Sequence, residues 1–277
     1  MNTDVISLRL STRTSLHYNR TMTKRTFAGT VATAAVWLLV SPFAMTAQGA
    51  PLRLLVSNGM KAAMEQLKPQ CEKAVGSPID MQFSSTAALK KRIEAGEAFD
   101  ATIISSEAIT DLIKQGKLAA ATRVDVGRSP LGIGIRAGSA KPDISSADAL
   151  KKALLAAPSI TYPQDGATRG SIEKMFDKMG IAAQVKPKIM LAPGSGAATE
   201  SVAAGKAAFV ITLFSEIAPV HGVEILGALP GEYQTQVNFT IAASAASTNA
   251  GVVRSVAAFL KGTEAAPILK ANGLETH

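Results

Sequence analysis

The chain has 277 residues, 47% of them hydrophobic, with 22 glycines and 13 prolines. That is enough for a sizeable core, in one large domain or two small ones. The formal charge is +8, but Arg9, Arg13, Arg20, Lys24 and Arg25 against Asp4 place +4 of it in the first 49 residues, and the remaining +4 forms no dense basic tract. A nucleic-acid or membrane-surface role finds no support in such a distribution.

Lys24 and Arg25 precede the apolar stretch "FAGTVATAAVWLLV" (27–40), and Ala47 and Gly49 follow at −3 and −1 of a candidate cleavage site. The run falls short of the roughly 20 residues a membrane span needs, so residues 22–50 read as a cleavable signal peptide, with an uncleaved anchor as the alternative. Met22 is a candidate start. The mature chain is expected to begin between Ala47 and Leu52, to be soluble and monomeric, and to lie in the periplasm. Cys71 is the one cysteine, so no internal disulfide forms. It lies in a helical pattern with no histidine close in sequence and reads as a packed small residue.

From residue 51 onward, apolar runs at 52–56, 79–83, 101–104, 131–136, 159–162, 188–191, 209–213, 223–226 and 237–243 read as strands. Segments such as "KAAMEQLKPQCEKAV", "TAALKKRIEAG" and "TRGSIEKMFDKMG" between them have helical spacing. Alternating β and α units predict an α/β fold with mainly parallel sheets flanked by helices. The extended run "SPLGIGIRAGS" (129–139) is expected to cross between two lobes, and "QTQVNFTIAAS" (234–244) to cross back. Lobe 1 is then 50–132 plus 240–277, and lobe 2 is 133–239. The last segment supplies two helices that return to lobe 1.

Ligands in open α/β sheets bind beyond the C-terminal ends of the strands. Those ends carry Ser57, Asn58 and Gly59; then Ser84, Ser85 and Thr86; then Ser105 and Ser106; and, in the second lobe, Thr161, Gly166, Thr168 and Arg169. Each group alone is most simply a helix cap or a turn. Together, at equivalent ends of a sheet, they point to a cleft that holds an anion through hydroxyls and helix N-termini.

The strand–turn–helix start, the block "FSSTAALKKRIEAGEAFDATIISS" and the terminal "FLKGTEAAPILKANGLE" resemble the periplasmic molybdate-binding proteins of ABC transporters over about residues 51–275. The resemblance implies the two-lobed type II periplasmic binding protein fold, closure over a small anion, and delivery to a transporter permease. The pocket departs from that pattern. The family's contacting serine aligns with Gly59 and its second-lobe tyrosine with Leu213, whereas the "SST" turn, 84–86, is kept. Lys61 and Arg169 stand close to the pocket turns. Cationic side chains suit carboxylates, which arginine can bind in a fork. A di- or tricarboxylate is therefore expected in preference to molybdate, although Lys61 and Arg169 also read as solvated first-turn residues.

Two function classes stay open. One is a solute-binding protein with no catalytic residue. The other is an isomerase, because bacterial aconitate isomerases resemble the same family. Their allylic proton shift between trans- and cis-aconitate would use Lys61 and Arg169 as clamps, Ser57, Asn58 and Ser85 to orient the substrate, and Glu216 in "TLFSEIAP" as general base. The simpler reading of Glu216 is a first-turn carboxylate that complements the helix dipole. The three histidines, His17, His221 and His277, are too scattered for a zinc site or a serine triad. No cofactor or metal is expected. "APGSGAATE" contains a Gly-Ser-Gly turn that resembles a phosphate loop only weakly.

Overall fold

Buried apolar runs alternating with amphipathic segments set the architecture of the computed structural model, which describes residues 50–276. The leader and most of the proposed cleavage region lie outside those residues. In chain order the elements are β1 (Leu52–Ser57), α1 (Lys61–Val75), β2 (Ile79–Ser84), α2 (Thr86–Glu94), β3 (Ala101–Ser105) and α3 (Ser106–Lys114). Then come β4 (Val124–Arg136), α4 (Ala147–Ala156), β5 (Ile160–Pro163), α5 (Arg169–Lys178), α6 (Ala182–Val185), β6 (Ile189–Ala192), α7 (Ser195–Ala203), β7 (Phe209–Leu213) and α8 (Phe214–Ile217). The chain ends with β8 (Val223–Ala228), β9 (Gln236–Ala243), α9 (Ala250–Leu260) and α10 (Ala266–Ala271).

The strand order is β2-β1-β3-β9-β4-β7-β5-β6, with β8 on β4. Each lobe has a parallel βαβ centre, β2-β1-β3 in the first and β6-β5-β7 in the second. The connecting strands pair antiparallel. β4 serves both lobes: Val124 to Pro130 pair with β9, and Leu131 to Arg136 pair with β7 and β8. Its first half, "VDVGRSP", lacks a continuous apolar run, which is why the sequence pattern places the strand start at 131. β9 pairs with β3 and the first half of β4, so the chain is back in lobe 1 by Gln236.

Helices cover both faces of each sheet, as the alternation of side chains along β1 requires. Leu54 and Val56 pack with Met64 and Leu67 of α1, Val256 and Leu260 of α9, and Leu269 of α10. Leu55 points the other way, onto Leu89 and Ile93 of α2 and Ile109 and Leu112 of α3. Burial of a side chain of this size contributes about 1.5–3 kcal/mol, so a charge at Leu55 would open the second layer. Lobe 2 repeats the scheme, with Ile133, Ile160, Ile172, Phe176 and Ile211 on one face and Ala198, Val202, Val210 and Ile217 on the other. Cys71 is fully buried in the first core, and burial pushes its thiol up to about 12, which makes it inert packing.

Candidate ligand-binding cleft

The parallel strands of both lobes end at one cleft. β1 and β2 finish in register at Ser57 and Ser84, and β5 and β6 finish in register at Pro163 and Ala192. Between them lies a cavity of about 180 Å³, below the roughly 300–1,000 Å³ that drug-sized ligands occupy. Lobe 1 contributes Ser57, Asn58, Ser84, Ser85 and Thr86. Lobe 2 contributes the 165–168 turn and Ser195. Leu213, Val237 and Phe239 form an apolar wall, and Glu216 lines the same space. The lining therefore mixes neutral oxygen donors, helix N-termini and hydrocarbon.

Local rules place the donors. Ser85 caps α2, its hydroxyl accepting from the Ala88 N–H at 3.2 Å. Thr86, buried at the first position of α2, donates its hydroxyl to Ser57 Oγ at 3.3 Å, linking the ends of β1 and α2. Thr168 occupies the N-cap position of α5 without a side-chain cap bond. It is 3% exposed and its hydroxyl has no protein partner among the described residues. Ser105 caps α3, accepting from the Ala108 N–H at 3.4 Å. It lines an adjoining chamber rather than the main cavity.

Four of the residues singled out in the sequence stand elsewhere. Lys61 pairs with Glu65 at 3.4 Å and lies over the Phe83 ring, half exposed. Arg169 donates from Nε to Glu173 at 2.9 Å and from Nη1 to the Gln164 carbonyl at 3.0 Å. Neither lines the cavity, and no lysine or arginine does. Gly59 is buried beneath Phe239, so its backbone, not a side chain, shapes the site. Thr161 is buried and donates to the Met190 carbonyl at 2.6 Å.

Glu216 is the less exposed of the two carboxyls at the cavity, and it is partly buried. It sits at the third position of α8, and the backbone N–H of Leu213, the N-cap, donates to it, in the manner of a capping box. Its carboxyl also accepts from the hydroxyls of Thr212 and Ser195. Burial nevertheless dominates and raises its pKa above the ordinary carboxylate value, while the three donors pull it partly back. No charged neighbour contributes to that shift; Asp165 lines the cavity from an exposed turn. Ser195 lines the cavity, although the sequence reading treated its Gly-Ser-Gly turn only as a weak phosphate-loop resemblance. The signal was there, since the Gly-Ser-Gly turn follows β6 as the serine turns follow β1 and β2.

The described residues include no cluster of three or more His, Cys, Asp or Glu side chains able to hold a metal ion, and no described helix is long and apolar enough to cross a membrane.

Comparison with known proteins places this geometry. A family model described as "bacterial extracellular solute-binding protein" matches residues 52–275. An aconitate isomerase of Pseudomonas sp is 26% identical over 251 residues, covering 89% of this chain and 95% of that protein. Among solved structures, the periplasmic molybdate-binding protein of Azotobacter vinelandii aligns with a TM-score of 0.68 at 19% identity, covering 82% of this chain and 99% of that one. The sulfate-binding protein of Mycobacterium tuberculosis aligns with a TM-score of 0.65 at 20% identity, covering 82% and 87%. At these identities the structural likeness speaks to the two-lobed fold.

Proposed function

Because the chain belongs to the bacterial extracellular solute-binding proteins, we propose that it captures a small organic anion, a di- or tricarboxylate, in the interlobe cavity and hands it to a membrane permease. The observation that carries this reading is the mixed lining of the cavity. Ser57, Ser84, Ser85 and Thr168, with the N-termini of α2 and α5, offer donors to an anionic oxygen. Leu213, Val237 and Phe239 offer a hydrocarbon wall that an inorganic oxyanion would leave unused. Export through the leader at 22–50 belongs to the same proposal.

The test is calorimetric titration of the purified protein with citrate, trans-aconitate, succinate, sulfate and molybdate. A carboxylate is expected to bind at least tenfold more tightly than molybdate, a gap of about 1.4 kcal/mol. Sub-micromolar molybdate binding with no response to any carboxylate would overturn the proposal.

A second reading rests on Glu216 and on the aconitate isomerase relative. A partly buried carboxyl of raised pKa at a ligand cavity is suited to act as a general base. In this reading the Glu216 carboxylate removes a proton from the methylene carbon of trans-aconitate. The C–H electron pair forms the new double bond, and the old double bond opens at its far carbon. Glu216 returns the proton there, so atoms and charge balance without a cofactor. Proton NMR of trans-aconitate incubated with the protein tests this reading. Appearance of the cis isomer, lost in Glu216→Gln while binding persists, supports it, and no conversion by the wild type removes it.

A further inference from the structure

Beyond Thr168 the cleft continues. A second chamber of about 130 Å³ adjoins the first and shares Ala167, Thr168 and Val237 with it. Its walls come from both lobes: the start of α3 at Ser105 and Ser106, Ser171 on α5, and Gln236 and Asn238 on β9. All of these are polar. The Ser106 hydroxyl is already committed to Thr240 at 2.6 Å, and Ser105 Oγ is committed to its cap. The first N–H groups of the nine-residue α3 have no intrahelical partner.

The independent sign of a ligand is Thr168. The residue is 97% removed from solvent, and its hydroxyl has no protein partner among the described residues. Buried hydroxyls are otherwise hydrogen-bonded as a rule. Thr168 Oγ1 is not among the fully enclosed unpaired atoms, a description that fits Ser215 Oγ alone within the described residues. Thr168 lines both chambers.

We propose that the two chambers form one bipartite site for an elongated organic acid, with a carboxylate in the first and a second, oxygen-bearing end in the chamber between Ser105, Ser171 and Asn238, and with Thr168 donating at the junction. This rests on the carboxylate reading of the first chamber and narrows its ligand class. The second end is a hydroxyl or a second carboxylate. The only charged side chain lining the second chamber is Glu107, exposed in the first turn of α3, and it repels the second carboxylate but not the hydroxyl.

Matched acids test the proposal. At two to five carbons, the methyl-ended monocarboxylates are compared with ω-hydroxy acids and dicarboxylates of the same length by calorimetry on the full protein. At one chain length the oxygen-ended acids are expected to bind roughly tenfold more tightly than the methyl-ended one, the effect of a hydrogen bond or two. Ser171→Leu, on the exposed face of α5, should fill the second chamber, abolish that advantage and leave acetate affinity unchanged. Glu107→Gln should tighten the dicarboxylate and not the hydroxy acid. If oxygen-ended and methyl-ended acids bind alike at every length, or if Ser171→Leu leaves the advantage intact, the bipartite site is refuted while the carboxylate reading stands. If no acid binds, acetate included, the carboxylate reading falls and this proposal with it.

Discussion

The backbone of Gly59 lies so close to the Phe239 ring that a β-carbon at position 59 would stand 2.4 Å from Phe239 Cζ. Phe239 is itself 1% exposed, fixed in the lobe 1 core, and forms part of the cavity wall. The glycine and the phenylalanine therefore specify each other where the turn after β1 meets β9. Gly59→Ser, which would restore the serine of the molybdate-binding pattern, is expected to displace the ring. It should cost about 1–3 kcal/mol of stability, as overpacking of a core does, and should not create molybdate affinity. Urea denaturation with parallel molybdate titration checks this. A stable variant that gains tight molybdate binding would show that Phe239 yields freely.

Arg169 is held by Glu173 and the Gln164 carbonyl, with its side chain 41% exposed. Removing an exposed i,i+4 pair costs about 0–1 kcal/mol. Arg169→Ala and Lys61→Ala are each expected to leave carboxylate affinity within roughly threefold of wild type, under 1 kcal/mol. A loss of tenfold or more in Arg169→Ala would mean that the guanidinium leaves Glu173 for the ligand.

The misplacement of these two cations marks where sequence reading stops. Both have an acid four residues on, Glu65 after Lys61 and Glu173 after Arg169, and on a helix that spacing favours surface pairing. The signal was present, but proximity to the pocket turns outweighed it. The strand-end serines were legible because capping and sheet topology are local rules, and Ser57, Ser84 and Ser85 meet at the cavity. Ser195 obeyed the same rule and was obscured by its flanking glycines. Of the apolar wall, only Leu213 was legible, and only through the family resemblance. Val237 and Phe239 reach the site from a strand distant in sequence, and nothing near either residue states what it faces. The parallel βαβ centres followed from alternation, whereas the early start of β4 depended on pairing with β9, a tertiary contact.

Ser129, fully buried on β4 where the strand passes between lobes, ties two distant segments. Its hydroxyl donates to the Gly273 carbonyl at 3.0 Å and accepts from the Ser215 N–H at 3.0 Å. Gly273 follows α10 of lobe 1, and Ser215 precedes Glu216 on α8. Gly273 adopts φ +72, and a β-carbon there would meet the Phe214 carbonyl carbon at 2.6 Å, so the approach is tight. Ser129→Ala strands a buried donor and a carbonyl, each costing about 1–3 kcal/mol. A stability loss of about 2–4 kcal/mol is expected by urea unfolding. A loss below about 0.5 kcal/mol, the scale of a neutral surface change, would mean that water replaces the hydroxyl.

Glu216 supplies a pH dependence whose sign follows from burial. Its folded pKa is raised, chiefly by desolvation and partly offset by Thr212, Ser195 and the Leu213 N–H. The unfolded carboxyl titrates near ~4.3. Between that value and the raised folded one, the native state holds more protons than the unfolded state, so this group's contribution to stability falls as pH rises through the window. Below the window the burial of the neutral acid carries no such penalty. Glu216→Gln cannot ionise, so it should gain on the wild type as pH rises from 5 to 8, when urea midpoints are compared. If the carboxylate is also the base for aconitate, isomerisation by the wild type should rise over the same pH range in which stability falls, because one ionisation governs both. Parallel stability profiles for the two proteins would show that Glu216 does not ionise within that range. A turnover that rises with pH in Glu216→Gln as it does in wild type would assign the base elsewhere, with Asp165, the other carboxyl at the cavity, as the next residue to replace.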